Sequence, residues 1–480
     1  MAMPPSSQPV PDALSADVLI LGAGLAGLRA AWAAKQAAPG ARVLVASLRD
    51  TPSGSSFANA NNALGMQYCL DGQERAAFAA EAVALAPPGR IEPGLAAIVA
   101  SESAARLYEL DELGLAFARR PDGSIRRHPG CFSSSPPRAA VFTGLARAHA
   151  LFTAKTAALG VAFLSTHRVL AVILDNAASP PRAVGALLTE GPADRPLAVS
   201  AGSVVAALGG PAPLFLFNQA GPGTPGHGLA ILSRAGAALA NTAYLQFMWA
   251  EIPSKAFWPV ARLAEPGVCV LTARGEPVPT PEALGGAPLG TLAAARAGHC
   301  PFGYGLTDAR LDLFLAEHIG ADHAARVRLP DGNTVRVAPM AHAGNGGAAI
   351  DANGATSVAG LYAAGECAAL MHGANRLGGA MVAATQVFGA RAGTEAARAR
   401  PGAPKTDRAR AAARELLADM TFDPLERETG LARLADGLQR HLILGGRPGL
   451  GAFAAALATR HADAKDHELR LAIETALCLV

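Results

Sequence analysis

Residues 360–380 read Gly360-Leu-Tyr-Ala-Ala-Gly-Glu-Cys-Ala-Ala-Leu-Met-His-Gly-Ala-Asn-Arg-Leu-Gly-Gly-Ala380. An apolar strand runs into a glycine turn at Gly365, a carboxylate follows at Glu366, and helical spacing resumes at Ala380. Far upstream stands a second glycine turn, Gly22-Ala-Gly24-Leu25-Ala26-Gly27. The two turns in this order describe one extended nucleotide cofactor held by both ends of the chain.

The upstream turn has the surroundings such a role needs. Residues 17–21 are an apolar strand, 25–36 an Ala/Leu-rich helix, and 42–46 a second apolar strand at the distance a βαβ unit requires. Gly22 permits the turn, Gly24 lets the backbone approach a pyrophosphate, and Gly27 lets helix and strand pack closely. The helix start at Leu25 and Ala26 offers free N–H groups to the phosphates. The second strand, where an acidic residue would hold the ribose, ends in the neutral Ser47. A plain nicotinamide dehydrogenase has no reason to return to its cofactor as late as residue 365. A two-dinucleotide-binding flavoprotein does, so the expected cofactor is FAD. Glu366 would hold ribitol hydroxyls, and the helix from Gly379-Ala380 would turn its positive end toward the flavin.

With these residues in place, the chain resembles the flavoprotein family that includes succinate dehydrogenase, fumarate reductase and L-aspartate oxidase. The resemblance covers about residues 15–480, in the family's order. Residues 53–62, with Ser55, Ser56, Asn61 and Asn62, resemble the segment passing the flavin edge. Phe142-Thr-Gly144 resembles the Thr-Gly element before a long helix, and 204–210, ending in Gly209-Gly210, resembles the strand that returns to the FAD. Residues 342–347 and 372–378 resemble two substrate-site segments. The resemblance implies an α/β fold: a two-dinucleotide-binding, Rossmann-like FAD domain with an inserted capping domain and a C-terminal helical domain. It also implies hydride transfer between flavin N5 and a carbon next to a carboxylate.

That chemistry needs cationic or hydrogen-bonding groups on the carboxylate and one proton donor or acceptor. Arg376, which also stands among the FAD contacts, is the expected carboxylate clamp because guanidinium offers a bidentate fork. His342 is its expected hydrogen-bonding neighbour. The family takes its proton from an Arg-Gly-Glu-Gly run, and Arg262-Leu-Ala-Glu265 is the nearest equivalent, with Arg274-Gly-Glu276 a rival. Three departures stand out. The family's Gln-Phe-His-Pro becomes Gln246-Phe247-Met248-Trp249, so an apolar end of the substrate near Met248 and Trp249 is expected. Gln-Gly-Gly at the flavin edge becomes Asn61-Asn62-Ala63. No histidine occupies 53–65, so the FAD is expected to be non-covalent. Ser47 is shared with the aspartate oxidase branch.

Composition narrows the alternatives. Hydrophobic residues make up 51% of 480 and charged residues 16%, enough for a large core. No apolar run reaches membrane-spanning length, and a net charge of +3 without a basic, aromatic-interleaved tract speaks against nucleic acid. The six cysteines show neither C-x-x-C nor metal-ligand spacing, so no metal or iron–sulfur site is expected. Electrons beyond the flavin then involve a separate protein, a diffusible carrier or oxygen. Scattered cysteines and a Pro/Ser-rich start without signal-peptide features favour a reducing cytoplasm.

The expected organisation is a disordered leader (1–15), a discontinuous FAD domain (16–246 and 334–400), a capping domain (247–333) and a helical C-terminal domain (401–480), with 401–404 as linker. The chain stops inside an apolar helix, short of the charged tail the resemblance implies, so the end is naturally short or cut. The leading functional expectation is a FAD oxidoreductase acting on a small anionic substrate. L-aspartate oxidase and a flavin-binding scaffold subunit with little turnover are the alternatives.

Overall fold

The computed structural model describes residues 14–133, 136–191, 194–223, 225–399, 406–443 and 449–480. Of the expected leader, residues 1–13 lie outside the described residues, while Leu14 and Ser15 already belong to the first strand, Leu14–Leu21. The 401–404 linker also lies outside them.

The protein is α/β. Its central sheet has five parallel strands in the order Ala162–Leu164, Val43–Ala46, Leu14–Leu21, Arg195–Ala206 and Leu361–Ala363. Val43–Ala46 and Leu361–Ala363 are buried throughout, Leu14–Leu21 from Val18 onward and Arg195–Ala206 from Ala198 onward, as parallel strands covered on both faces must be. The strand Arg195–Ala206 is longer than its parallel neighbours, and its first half pairs antiparallel with Arg182–Glu190, which continues to His167–Asp175. Its second half pairs with Leu361–Ala363, so Leu14–Leu21 and Leu361–Ala363, far apart in sequence, flank the same strand.

Register then fixes the site. Leu21 lies opposite Ala46 and Ala206, and Ala206 opposite Ala363. The residues that follow, at 22, 47, 207 and 364, form one row at the carboxyl edge of the sheet, where open α/β folds bind ligands. Two helices cover this edge, Leu25–Ala37 and Ala380–Arg398. They cross in close contact because a Cβ at Gly389 would stand 2.9 Å from the Ala26 carbonyl oxygen, and one at Gly393 2.1 Å from that of Ala30.

A second, antiparallel sheet orders Leu245–Glu251, Thr334–Gly344, Ala325–Arg328, Cys269–Leu271 and Pro277–Val278. Its first two strands pair from Leu245–Gly344 to Glu251–Val337, so the sheet runs across positions 246 and 334. Behind it lies a separate apolar core containing Phe247, Trp249, Trp258 and Leu311. The helix Ala309–Ala316 contributes Leu311 to this core. Beyond residue 405 the described residues include four helices, Thr406–Ala418, Pro424–His441, Leu450–Asp463 and His467–Leu479. No helix among the described residues is long and apolar enough to cross a membrane.

Candidate active site

One cavity of about 520 Å3 runs from the glycine turn at Gly22 to the strands of the second sheet. Its volume falls in the range of small-molecule and cofactor sites. Gly22, Gly24, Leu25, Ala26, Ser47, Ser55, Ser56, Asn61, Gly209, Gly210, Gly365, Glu366, Gly379, His342 and Arg376 all line it. Four expected residues do not. Gly27 packs under the turn, where a Cβ would stand 1.9 Å from the Gly22 carbonyl oxygen. Asn62 sits behind the wall with φ +47°, accepting at Oδ1 from the Leu145 N–H at 3.0 Å. Ala380 is buried within its helix turn. Arg262 lies in a short 3-10 turn, pairs with Glu265 at 3.1 Å and is 30% exposed.

At the front end, Gly22 has φ +112° and lies so near Ala207 that a Cβ would meet its carbonyl oxygen at 2.3 Å. Only glycine fits that turn. The first free N–H groups of the helix Leu25–Ala37 face the cavity, with Leu25 N held by Ser56 Oγ at 3.4 Å. Ser47 donates its hydroxyl proton to the Arg49 carbonyl at 2.7 Å, which leaves its oxygen as an acceptor. Glu366 accepts from Gly344 N at 2.8 Å. Burial raises its pKa, opposed by the N–H groups of Gly344 and Gly210 and by the charge of Arg376.

The other end is built by the second sheet. Period-two alternation along Leu245–Glu251 turns Gln246 and Met248 to the cavity, and Phe247 and Trp249 to the core behind. Trp249 is therefore not a wall residue; its Nε1 donates to Asp312 Oδ1 at 2.9 Å, and Phe257 supplies the aromatic surface beside Met248. On the partner strand the register shifts between Gln246 and Phe247: Gln246 faces Ala343, Phe247 faces Ala341. His342 is the extra residue of this bulge, which re-aims its side chain so that it lines the cavity beside Ala343.

Arg376 is 7% exposed, and its guanidinium meets neutral partners, Asn345 Oδ1 at 3.0 Å from Nε and Gln246 Oε1 at 2.5 Å from Nη2. Among the described residues no carboxylate lies within ion-pair distance of it. Burial lowers its pKa to about 10, against the field of Glu366, so it stays cationic at neutral pH. Burial and the Arg376 charge pull His342 down to about 3, leaving a neutral imidazole.

Among the wall residues to which sequence reasoning gave no role are Gln219, Gln246, Cys131 and Cys300. Neither side-chain polar atom of Gln219 has a partner, nor does Gln246 Nε2. Buried amides without partners mark a place where a ligand completes the hydrogen bonding. These atoms, the glycine cradle and the two helix starts fit an extended nucleotide cofactor. Gln246 carried a signal, since it shares the strand face of Met248; nothing local distinguished Gln219 or the cysteines.

Comparison with known proteins agrees. The FAD binding domain family matches residues 17–299 and 306–382. The chain is 30% identical over 420 residues to the 8-methylmenaquinol:fumarate reductase flavoprotein subunit of Wolinella succinogenes, covering 80% of this chain and 65% of that protein's length. It is 31% identical over 402 residues to L-aspartate oxidase of Halobacterium salinarum, covering 80% and 76%. Its fold superposes on E. coli quinol fumarate reductase FrdA with a TM-score of 0.71 at 21% identity, covering 98% of this chain and 88% of that one. The chain belongs to the family of FAD-dependent oxidoreductases that contains the fumarate reductase flavoproteins and L-aspartate oxidase, and its cofactor is FAD.

Proposed function

We propose that the protein transfers a hydride between FAD and a small substrate with one carboxylate and an apolar remainder. The observation that carries this is Arg376, a buried cation facing the cavity with only neutral partners. Two of its five N–H donors are used by Asn345 and Gln246, leaving three for an anion. A carboxylate bound there is held bidentately in a water-poor site, with the neutral His342 as an additional hydrogen-bond donor. Met248 and Phe257 also line the cavity and offer a second carboxylate no charged partner of their own.

FAD supplies the two-electron chemistry; the residues bind, orient and exclude water. Gly22, Gly24, Leu25, Ala26, Ser55, Ser56, Gly209 and Gly210 would hold its phosphates and neighbouring groups. Ser47 would accept from a ribose hydroxyl, Glu366 from ribitol, and Asn61, Gly365 and Gly379 would border the ring. Arg262 stands outside the cavity, so a proton step there falls to groups on the wall. The reading makes the FAD non-covalent, places the protein in the cytoplasm and gives it a separate protein or oxygen as electron partner.

The test uses the purified protein under anaerobic conditions. Acid precipitation should leave the yellow colour in the supernatant. Reoxidation of the reduced flavin should then be compared for unsaturated monocarboxylates and dicarboxylates of similar length. A missing charged hydrogen bond of about 1.5–3 kcal/mol corresponds to roughly one to two orders of magnitude weaker dicarboxylate binding than in a site with both anchors. Selective turnover of fumarate, or no response to any carboxylate, would sink the assignment.

A further inference from the structure

We propose that Cys131 and Cys300 form a redox-active dithiol–disulfide pair on the cavity wall, exchanging two electrons with a small thiol or disulfide that enters the cavity. The proposal rests on the reading of this cavity as the FAD and substrate site, and it supplies that site with a class of electron partner.

The two residues are 169 positions apart, yet the Cys300 N–H donates to Cys131 Sγ at 3.3 Å. Both line the cavity with Arg376 and His342. Each is held by its backbone. Gly378 N donates to the Cys131 carbonyl at 2.8 Å, tying it to the segment that carries Arg376. Arg296 donates to the carbonyls of Cys300 at 3.0 Å and Pro301 at 2.7 Å. Between them, the Phe132 ring stacks on His299 at 4.1 Å, and Phe132 N donates to the Gly298 carbonyl at 3.1 Å.

The environment separates the roles of the sulfurs. Hydrogen bonding from Cys300, with the nearby His299 and Arg376, draws the Cys131 thiol down despite burial. Cys300, which gives its hydrogen bond to Cys131, is pushed up and stays protonated. By contrast, burial raises Cys69 and Cys367 to about 11. A thiolate beside a protonated partner is the arrangement for attack and resolution. The Cys131 thiolate attacks a small disulfide, forming a mixed disulfide and releasing one thiolate. Cys300 gives its proton to that thiolate, attacks the Cys131 sulfur and releases the second thiolate. The pair loses two electrons to form one disulfide, and the small disulfide becomes two thiols, the second thiolate taking its proton from water; a small dithiol reverses the reaction, and the reduced pair would pass its two electrons and the Cys300 proton to bound FAD as it closes again to the disulfide.

The test uses the full chain with its FAD bound, treated anaerobically with oxidised glutathione, alkylated, digested and weighed. Peptides containing Cys131 and Cys300 should appear joined, and dithiothreitol should separate them. C300S should trap glutathione on Cys131, whereas C131S should carry none on Cys300. Anaerobic dithiothreitol should bleach the flavin more than tenfold faster in the wild type than in either variant, with dithionite bleaching as the measure of flavin content. Absence of the joined peptides, or glutathione trapped equally on both cysteines, overturns the pair. Bleaching as fast in C131S as in the wild type overturns its coupling to the cavity. Because the mass readout needs no carboxylate turnover, a protein that forms the disulfide but ignores every carboxylate would refute the proposed substrate and leave the pair standing.

Discussion

Replacing Arg376 by lysine keeps the charge and removes the fork. The guanidinium has five N–H donors, of which Nε is committed to Asn345 at 3.0 Å and one on Nη2 to Gln246 at 2.5 Å. The three that remain can hold a carboxylate by two parallel bonds. An ammonium has three donors in all, so meeting the same two amides leaves one for the substrate. The variant thus loses one charge-assisted hydrogen bond, about 1.5–3 kcal/mol. If that bond is made in the transition state, kcat/KM should fall roughly 10- to 150-fold. Flavin reoxidation by the best carboxylate gives the rate by stopped flow, and the absorbance of the same samples gives FAD per chain. FAD content should stay near that of the wild type. An unchanged rate, or a rate that falls only in step with lost FAD, would show that Arg376 holds the fold or the cofactor and not the substrate.

Two further outcomes are open to direct measurement. In G210A the new Cβ would stand 2.1 Å from Glu366 Oε1, so the carboxylate must leave its place beside Gly344 N. FAD titration should show affinity roughly ten- to a hundredfold weaker, the value of a charged hydrogen bond; full affinity would remove Glu366 from the cofactor contacts. Burial holds His467 neutral by drawing its pKa from 6.5 to about 4. Between those values the unfolded chain binds the extra proton, so the stability His467 contributes is complete above pH 6.5 and is lost as pH falls toward 4. Urea unfolding of wild type and H467Q should therefore converge with falling pH, by up to about 1.4 kcal/mol per pH unit. Parallel curves would contradict it.

The cofactor end was legible because it is written in backbone requirements. Gly22 is needed for a turn that no side chain can make, and such needs show in sequence as glycines between a strand and a helix. The substrate end was legible only in part. Met248 lines the cavity, but Trp249 was grouped with it although alternation along one strand sends neighbours to opposite faces. His342 came from resemblance; the bulge that aims it depends on a register between two strands nearly a hundred residues apart. Arg262 lies off the cavity for a different reason. Its motif had lost a glycine, and what remains is an arginine paired with its own neighbour Glu265. Cys131 and Cys300 could not have been found locally, since neither segment carries the other's partner.

The crossing of the first helix, Leu25–Ala37, with Ala380–Arg398 bears on how the protein is made. Synthesis delivers the chain from its N-terminus at about 5–20 residues per second, so the second helix follows the first by on the order of 20–70 s. Throughout that interval the first helix lacks the surface it closes upon, and Arg195–Ala206 lacks its Leu361–Ala363 neighbour. Pairings this distant in sequence are slow to form and leave apolar surface open meanwhile. The nascent chain thus carries half a cofactor cradle for most of its synthesis. Flavin loading belongs to the finished polypeptide, and the vulnerable state to protect in expression is the long, unfinished one.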